Sequence, residues 1–207
     1  MQFKIKNTTY KISFTFLALI LFTLTTDQSR TVTTLFLFAV AHELVHLIFI
    51  YSFSIAPKEV AFTLFGANIK RAVNTANNLN SEIIINASAP VFNIVTGAFF
   101  LIISCHVTKY ENILTETASV NLILGIFNLI PFYTFDGGNA LKYILLKHIS
   151  EKSTERALTC ISLVVTIAFS FISIHIFLNY QHNFSLFIMC IYMFLSIIFK
   201  KQNSLDY

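Results

Sequence analysis

A chain of 207 residues that is 56% hydrophobic and only 12% charged, with 23 Phe and a mean hydropathy of +0.71, is not built like a soluble domain, which would carry about a quarter charged residues. The net charge of +4 does not point to nucleic acid, because the basic residues flank apolar blocks instead of forming a patch. Cys105, Cys160 and Cys190 are odd in number, lack CxxC spacing and lie in or near apolar runs, so they read as small packing residues.

The apolar residues fall into six blocks, at 12–27, 32–54, 83–105, 114–133, 157–179 and 184–199. Most are long enough to cross a hydrocarbon core of about 30 Å. With the N-terminus inside, six spans leave Lys4, Lys6, Lys11, Lys58, Lys70, Arg71, Lys142, Lys147, Lys152, Arg156, Lys200 and Lys201 on the inner side. Only Arg30 and Lys109 fall outside. The positive-inside rule then places both termini in the cytoplasm. The expectation is an all-α polytopic membrane protein of about six transmembrane helices, forming one domain over 1–207.

The first block follows Lys4, Lys6 and Lys11, a basic start like a signal n-region. No A-x-A-like cleavage site follows, so it is read as a retained helix.

The second block contains FAVAHELVHLIFI, residues 38–50. An ionisable side chain at the centre of a membrane helix costs about 2.5–3.5 kcal/mol. Two histidines and a glutamate within one and a half turns need something that offsets this cost. His42 and His46 are one turn apart on one helix face and can share one Zn²⁺, with Glu43 placed as general base. A buried polar cluster joining helices is the plainer reading. A catalytic zinc takes a third protein ligand. His42 lies about 18 Å below the outer surface at 1.5 Å per residue, and Asp136, near the inner end of the fourth block, falls in the same half of the bilayer.

The segment 55–80 contains KEVAFTLFGANIKRAV, rich in Val, Phe, Thr and Ile around Gly66. It reads as a short β-hairpin at the inner membrane face. The third block carries ASAPVFN, residues 87–93. The fourth ends in FNLIPFYTFDGGNAL, residues 127–141. Pro131 must break or kink that helix, and unwound backbone at membrane depth is tolerated only where it is buried in protein or lines a cavity. Asp136 therefore either projects into a polar cleft or caps the next helix. That next stretch, NALKYILLKHISEK, reads as an interfacial amphipathic helix. His175 stands alone in the fifth block, and His106, His148 and His182 fall at predicted membrane edges.

HELVH in a transmembrane helix, followed by NLIPFYTFDGG in a later one, resembles the site-2 protease family of intramembrane zinc metalloproteases. The family pattern N-x-x-P-x-x-x-x-D-G is matched by Asn128, Pro131, Asp136 and Gly137. ASAPVFN resembles the family's Gly-Pro-x-x-Asn patch, with Ala89 where Gly is usual, then Pro90 and Asn93. LFGANI resembles its membrane-associated β-region, and the compact layout is most similar to the sporulation sigma-factor-processing branch.

The resemblance implies that His42, His46 and Asp136 hold one Zn²⁺ and that Glu43 is the general base. It also implies cleavage of a membrane-spanning or membrane-associated substrate; the compact chain without eukaryotic targeting features points to a bacterial cell membrane. With no PDZ-like or CBS-like segment in the sequence, regulation is expected from a membrane partner, from substrate pre-trimming or from expression, and no nucleic acid is expected. Strand addition near residues 60–70, around Gly66, would hold the substrate extended. Asn93 and Asn128 would bind substrate backbone or the developing oxyanion, or else join helices by hydrogen bonds. Two other readings are a catalytically inactive relative acting as a membrane-helix scaffold, and a small transporter. The intact Glu43 argues against the first. The lack of a repeat and of charges spread over several helices argues against the second.

Overall fold

Lipid offers backbone N–H and C=O groups no partners, so apolar runs of this length satisfy them internally as helices. The computed structural model of the protein is built accordingly. It describes all residues except 1, 6–7, 15–17, 19–24, 26–29, 56, 64–65, 72–77, 180–184 and 204–207. Most of the first apolar block, together with His182, lies outside the described residues. The chain forms two compact units, residues 1–129 and 130–207.

Among the described residues, the first unit holds strands β1 (Gln2–Ile5), β2 (Thr8–Ile12), β3 (Pro57–Thr63) and β4 (Gly66–Arg71), and α-helices α1 (Thr31–Ser52), α2 (Leu79–Ser104) and α3 (Glu111–Leu129). The expected hairpin is β3–β4, paired antiparallel from Thr63↔Gly66 outward. It is half of a larger sheet of order β1-β2-β3-β4. The N-terminal residues, expected only as a basic tail, form a second hairpin whose inner strand runs parallel to β3, with Thr9 opposite Glu59 and Ile12 opposite Phe62. Thr8 Oγ1 donates to Pro57 O at 2.7 Å, and Lys11 meets Glu59 at 2.9 Å. The Tyr10 and Tyr51 hydroxyls lie 2.9 Å apart. That hydrogen bond, with partial burial, pushes the Tyr10 phenol up to about 12. Because β2 and β3 share a ladder, the N-terminal segment and the 57–63 segment lie on the same side of any bilayer.

Helix α2 starts where the Asn78 side chain accepts from Asn80 N–H at 3.0 Å, an N-cap that satisfies one orphan donor. It carries Pro90 inside its span and packs closely on α3. A Cβ at Gly125 would stand 2.8 Å from Pro90 O, and one at Gly97 would stand 2.7 Å from Leu122. Small residues that let membrane helices approach this closely replace the hydrophobic drive that lipid does not supply.

The second unit holds α4 (Asp136–Leu146), α5 (Glu151–Asn179) and α6 (Ser185–Asn203). The helix of the fourth block stops at Leu129, ahead of Pro131, which has no N–H to give. Residues 130–135 then run without helix. Phe132 is fully buried against Met193 and Ile197. A Cβ at Gly138 would stand 1.9 Å from Phe132 O, so only glycine fits where the first turn of α4 crosses the broken segment. Tyr133 N–H donates to Ser162 Oγ at 3.1 Å, tying the break to α5, and Lys142 joins Glu155 at 2.8 Å.

Helix α5 begins ahead of its apolar block at Glu151, where an acidic residue favours the positive end of the helix dipole. Among the described residues, α1, α2 and α5 are long and apolar enough to cross a membrane, and α6 carries a shorter apolar stretch, Leu186–Phe199. The mainly helical polytopic architecture is the one expected, with the expected hairpin enlarged to a four-stranded sheet.

Candidate metal centre

Helix α1 sets His42 and His46 one turn apart on its buried face, at 5% and 8% exposure. The rings are 4.9 Å apart and nearly perpendicular, at 86°. His46 Nδ1 lies 2.9 Å from the backbone oxygen of Ile85 on α2. A carbonyl can only accept, so Nδ1 of His46 carries the proton and Nε2 holds the lone pair of the neutral ring. His42 Nδ1 lies 2.9 Å from Asn93 Oδ1, also on α2. Imidazoles that give one ring N–H to a protein oxygen and keep the other nitrogen as a base are the usual form of histidine metal ligands. The donor chemistry of the pair therefore fits a divalent transition metal. Glu43 occupies the intervening helix position and is half-buried.

The other expected site residues fall in several places. Asn93 is fully buried in α2 and donates through Nδ2 to Asn121 Oδ1 on α3 at 3.1 Å. Asn128, near the end of α3, donates to Leu124 O of its own helix at 2.9 Å. Gly66 opens β4, an edge strand of the sheet. In the second unit, Asp136 is half-buried and is the first residue of α4, just after the broken segment. His175 is paired with Asn179 on its own helix and is exposed. Asn121 was not singled out by sequence reasoning. Its one signal is an amide set in the apolar run ASVNLILG.

The model of Peptidase family M50 matches residues 104–173, which include Asn128, Pro131 and Asp136. A solved structure, the site-2 protease from Methanocaldococcus jannaschii, superposes with a TM-score of 0.61 over 95% of this chain and 93% of that one, at 21% identity. The fold is that of a site-2 protease. The resemblance is borne out for the fold, and the segment that carries NLIPFYTFDGG is similar to the peptidase family; HELVH lies outside the matched residues. Among curated proteins, none matches the chain.

Proposed function

We propose that the chain is a zinc-dependent intramembrane endopeptidase, with both units working as one catalytic domain. His42, His46 and Asp136 would hold the ion. Two imidazoles and a carboxylate are a donor set that could hold a metal ion and one that catalytic zinc sites use. The observation that carries the reading is the buried His42–His46 pair, set in an apolar helix with each Nδ1 already committed to an oxygen of α2. Zinc bound there would act as a Lewis acid and bring the pKa of the attacking water to about 7. Glu43 would act as the general base, taking a proton from the attacking water and returning it to the leaving amine.

Among the described residues β4 is an edge of the sheet, to which an extended substrate segment would add as a further strand. Gly66 lies at its start and Asn128 near the end of α3 as further substrate contacts. The substrate is a membrane-spanning or membrane-associated protein or peptide. The site of action is a bacterial cell membrane, with both termini cytoplasmic.

Zinc per chain in the purified wild type, His46→Ala and Asp136→Ala tests the metal site. The expected result is about one zinc in the wild type and little in either variant. Glu43→Gln is expected to keep its zinc while cleavage of a model transmembrane peptide falls at least about 100-fold. A wild type that takes up no zinc when supplied with it would instead favour a helix-binding scaffold.

A further inference from the structure

The hydrogen bonds behind His42 form a line through three helices. Its far end is fixed: Asn121 Nδ2 donates to the backbone oxygen of Thr117 at 2.9 Å. Thr117 O can only accept, so the amide of Asn121 has one orientation, with its NH₂ toward Thr117 and its Oδ1 toward α2. That oxygen accepts from Asn93 Nδ2 at 3.1 Å, which fixes the orientation of the second amide in turn. Asn93 Oδ1 is left facing His42 Nδ1 at 2.9 Å. Two acceptors cannot share a hydrogen bond, so His42 must carry its proton on Nδ1. Asn93 and Asn121 are both 0% exposed and His42 is 5% exposed. Water therefore does not compete for these groups, and each inversion along the line would leave a buried group facing its like, at a cost of about 1–3 kcal/mol.

We propose that Asn93 and Asn121 are positioning residues, which hold His42 in its Nδ1–H tautomer so that Nε2 keeps the lone pair a metal needs. The polarity is imposed by a backbone carbonyl on α3 and transmitted to α1 through α2. Neither asparagine is a ligand in this reading; each acts through His42. This rests on the zinc reading for its purpose but not for its existence, since the tautomer is a property of the protein alone. It also gives Asn93 a role other than substrate contact: its oxygen is directed at His42 and its NH₂ at Asn121.

Replacing Asn121 by Leu removes the acceptor that orients Asn93. The Asn93 amide is then free to turn its NH₂ toward His42, which favours the Nε2–H ring. Asn93→Asp keeps an acceptor at Nδ1, whereas Asn93→Leu keeps none. The test is nitrogen NMR of ¹⁵N-histidine-labelled, metal-free full-length protein in detergent, at a pH where imidazole is neutral, with His42 assigned by its loss in His42→Ala. Zn²⁺ affinity and the visible spectrum after Co²⁺ loading are measured on the same samples.

The wild type is expected to show Nδ1–H at His42, and Asn121→Leu a shift toward Nε2–H. Zinc affinity is expected to fall about 10–100-fold in Asn121→Leu and Asn93→Leu and to be largely rescued in Asn93→Asp, with helical content unchanged. Nε2–H in the wild type overturns the proposal. So does an Asn121→Leu protein with unchanged tautomer and zinc affinity. Should Asn121→Leu not fold, the contrast between Asn93→Asp and Asn93→Leu decides in its place: equal zinc affinity in the two overturns the proposal. A wild type with the Nδ1–H tautomer, lost in Asn121→Leu, that binds neither Zn²⁺ nor Co²⁺ upholds the relay and overturns the protease reading.

Discussion

The two units differ in how many of their polar side chains reach from one helix to another. In the first, one set of buried polar side chains reaches between helices, His42 to Asn93, Asn93 to Asn121 and His46 to Ile85 O, while Asn86 and Ser104 bond their own helix. In the second, α5 buries Thr154, Ser162, Thr166 and Ser173 along its length; Ser162 Oγ accepts the Tyr133 N–H from the broken segment, while other hydroxyls of α5 turn back onto their own helix. Thr166 Oγ1 donates to Ser162 O and Ser170 Oγ to Thr166 O, each at 2.8 Å. A hydroxyl that bonds the carbonyl four residues back is satisfied before any helix packs on it. An amide or imidazole that bonds a neighbouring helix is satisfied only in one arrangement of three helices. The first pattern holds atoms at fixed positions, as a reactive centre requires, and the second mainly makes a helix surface small and smooth.

The contrast can be broken or sharpened by substitution. The largest effect is expected at Gly138→Ala, where the second unit depends on close backbone contact more than on side-chain bonds. A Cβ 1.9 Å from Phe132 O forces the broken segment open, with a loss on the order of 4 kcal/mol, read as thermal denaturation in detergent. Asn93→Leu comes next. It strands His42 Nδ1 and Asn121 Oδ1 in a dry site, with about 2–4 kcal/mol lost. Ser162→Ala is expected to cost about 1 kcal/mol, because Ser162 also accepts the Tyr133 N–H across elements. Thr166→Val, whose hydroxyl serves only its own helix, should stay within about 0.6 kcal/mol. If Thr166→Val proves as costly as Asn93→Leu, the distinction between the two units fails.

The smallest effect concerns pH. The Tyr10 phenol titrates near 12 in the folded protein, against about 10 in an unfolded chain. The folded state thus holds this proton more tightly. Its contribution is complete below about pH 10 and is lost as pH rises toward 12. Tyr10→Phe should flatten that alkaline limb, as followed by proteolysis of the N-terminal hairpin.

Much of this was legible in the sequence because the signals are contrasts. HELVH stands out in an apolar block, and Pro131 with Gly137 and Gly138 marks a break in another. The helix of the fourth block ends before Pro131 for the reason the sequence states. The N-terminal hairpin was missed although Phe3 and Ile5 alternate with Gln2 and Lys4. Its basic residues fit an orientation signal equally well, and its pairing with β3 is far from local. Asn121 was missed for a different reason. One amide in an apolar helix has no period, and its meaning lies in the partners that packing brings to it. The same holds for Asn93, which the sequence left between substrate contact and helix joining.

The parallel ladder between β2 and β3 also constrains how the protein is made. The bond from Thr8 to Pro57 spans 49 positions, and α1 lies between its ends. During synthesis β1 and β2 can pair as soon as they emerge, but β2 must wait for β3 until the intervening chain has gone into the membrane and come back. Closing the sheet therefore follows the threading of the chain between β2 and β3 and reports it. A chain inserted with the wrong number of passes would leave β2 and β3 on opposite sides of the bilayer, each with an open edge, as a mark by which quality control could distinguish it.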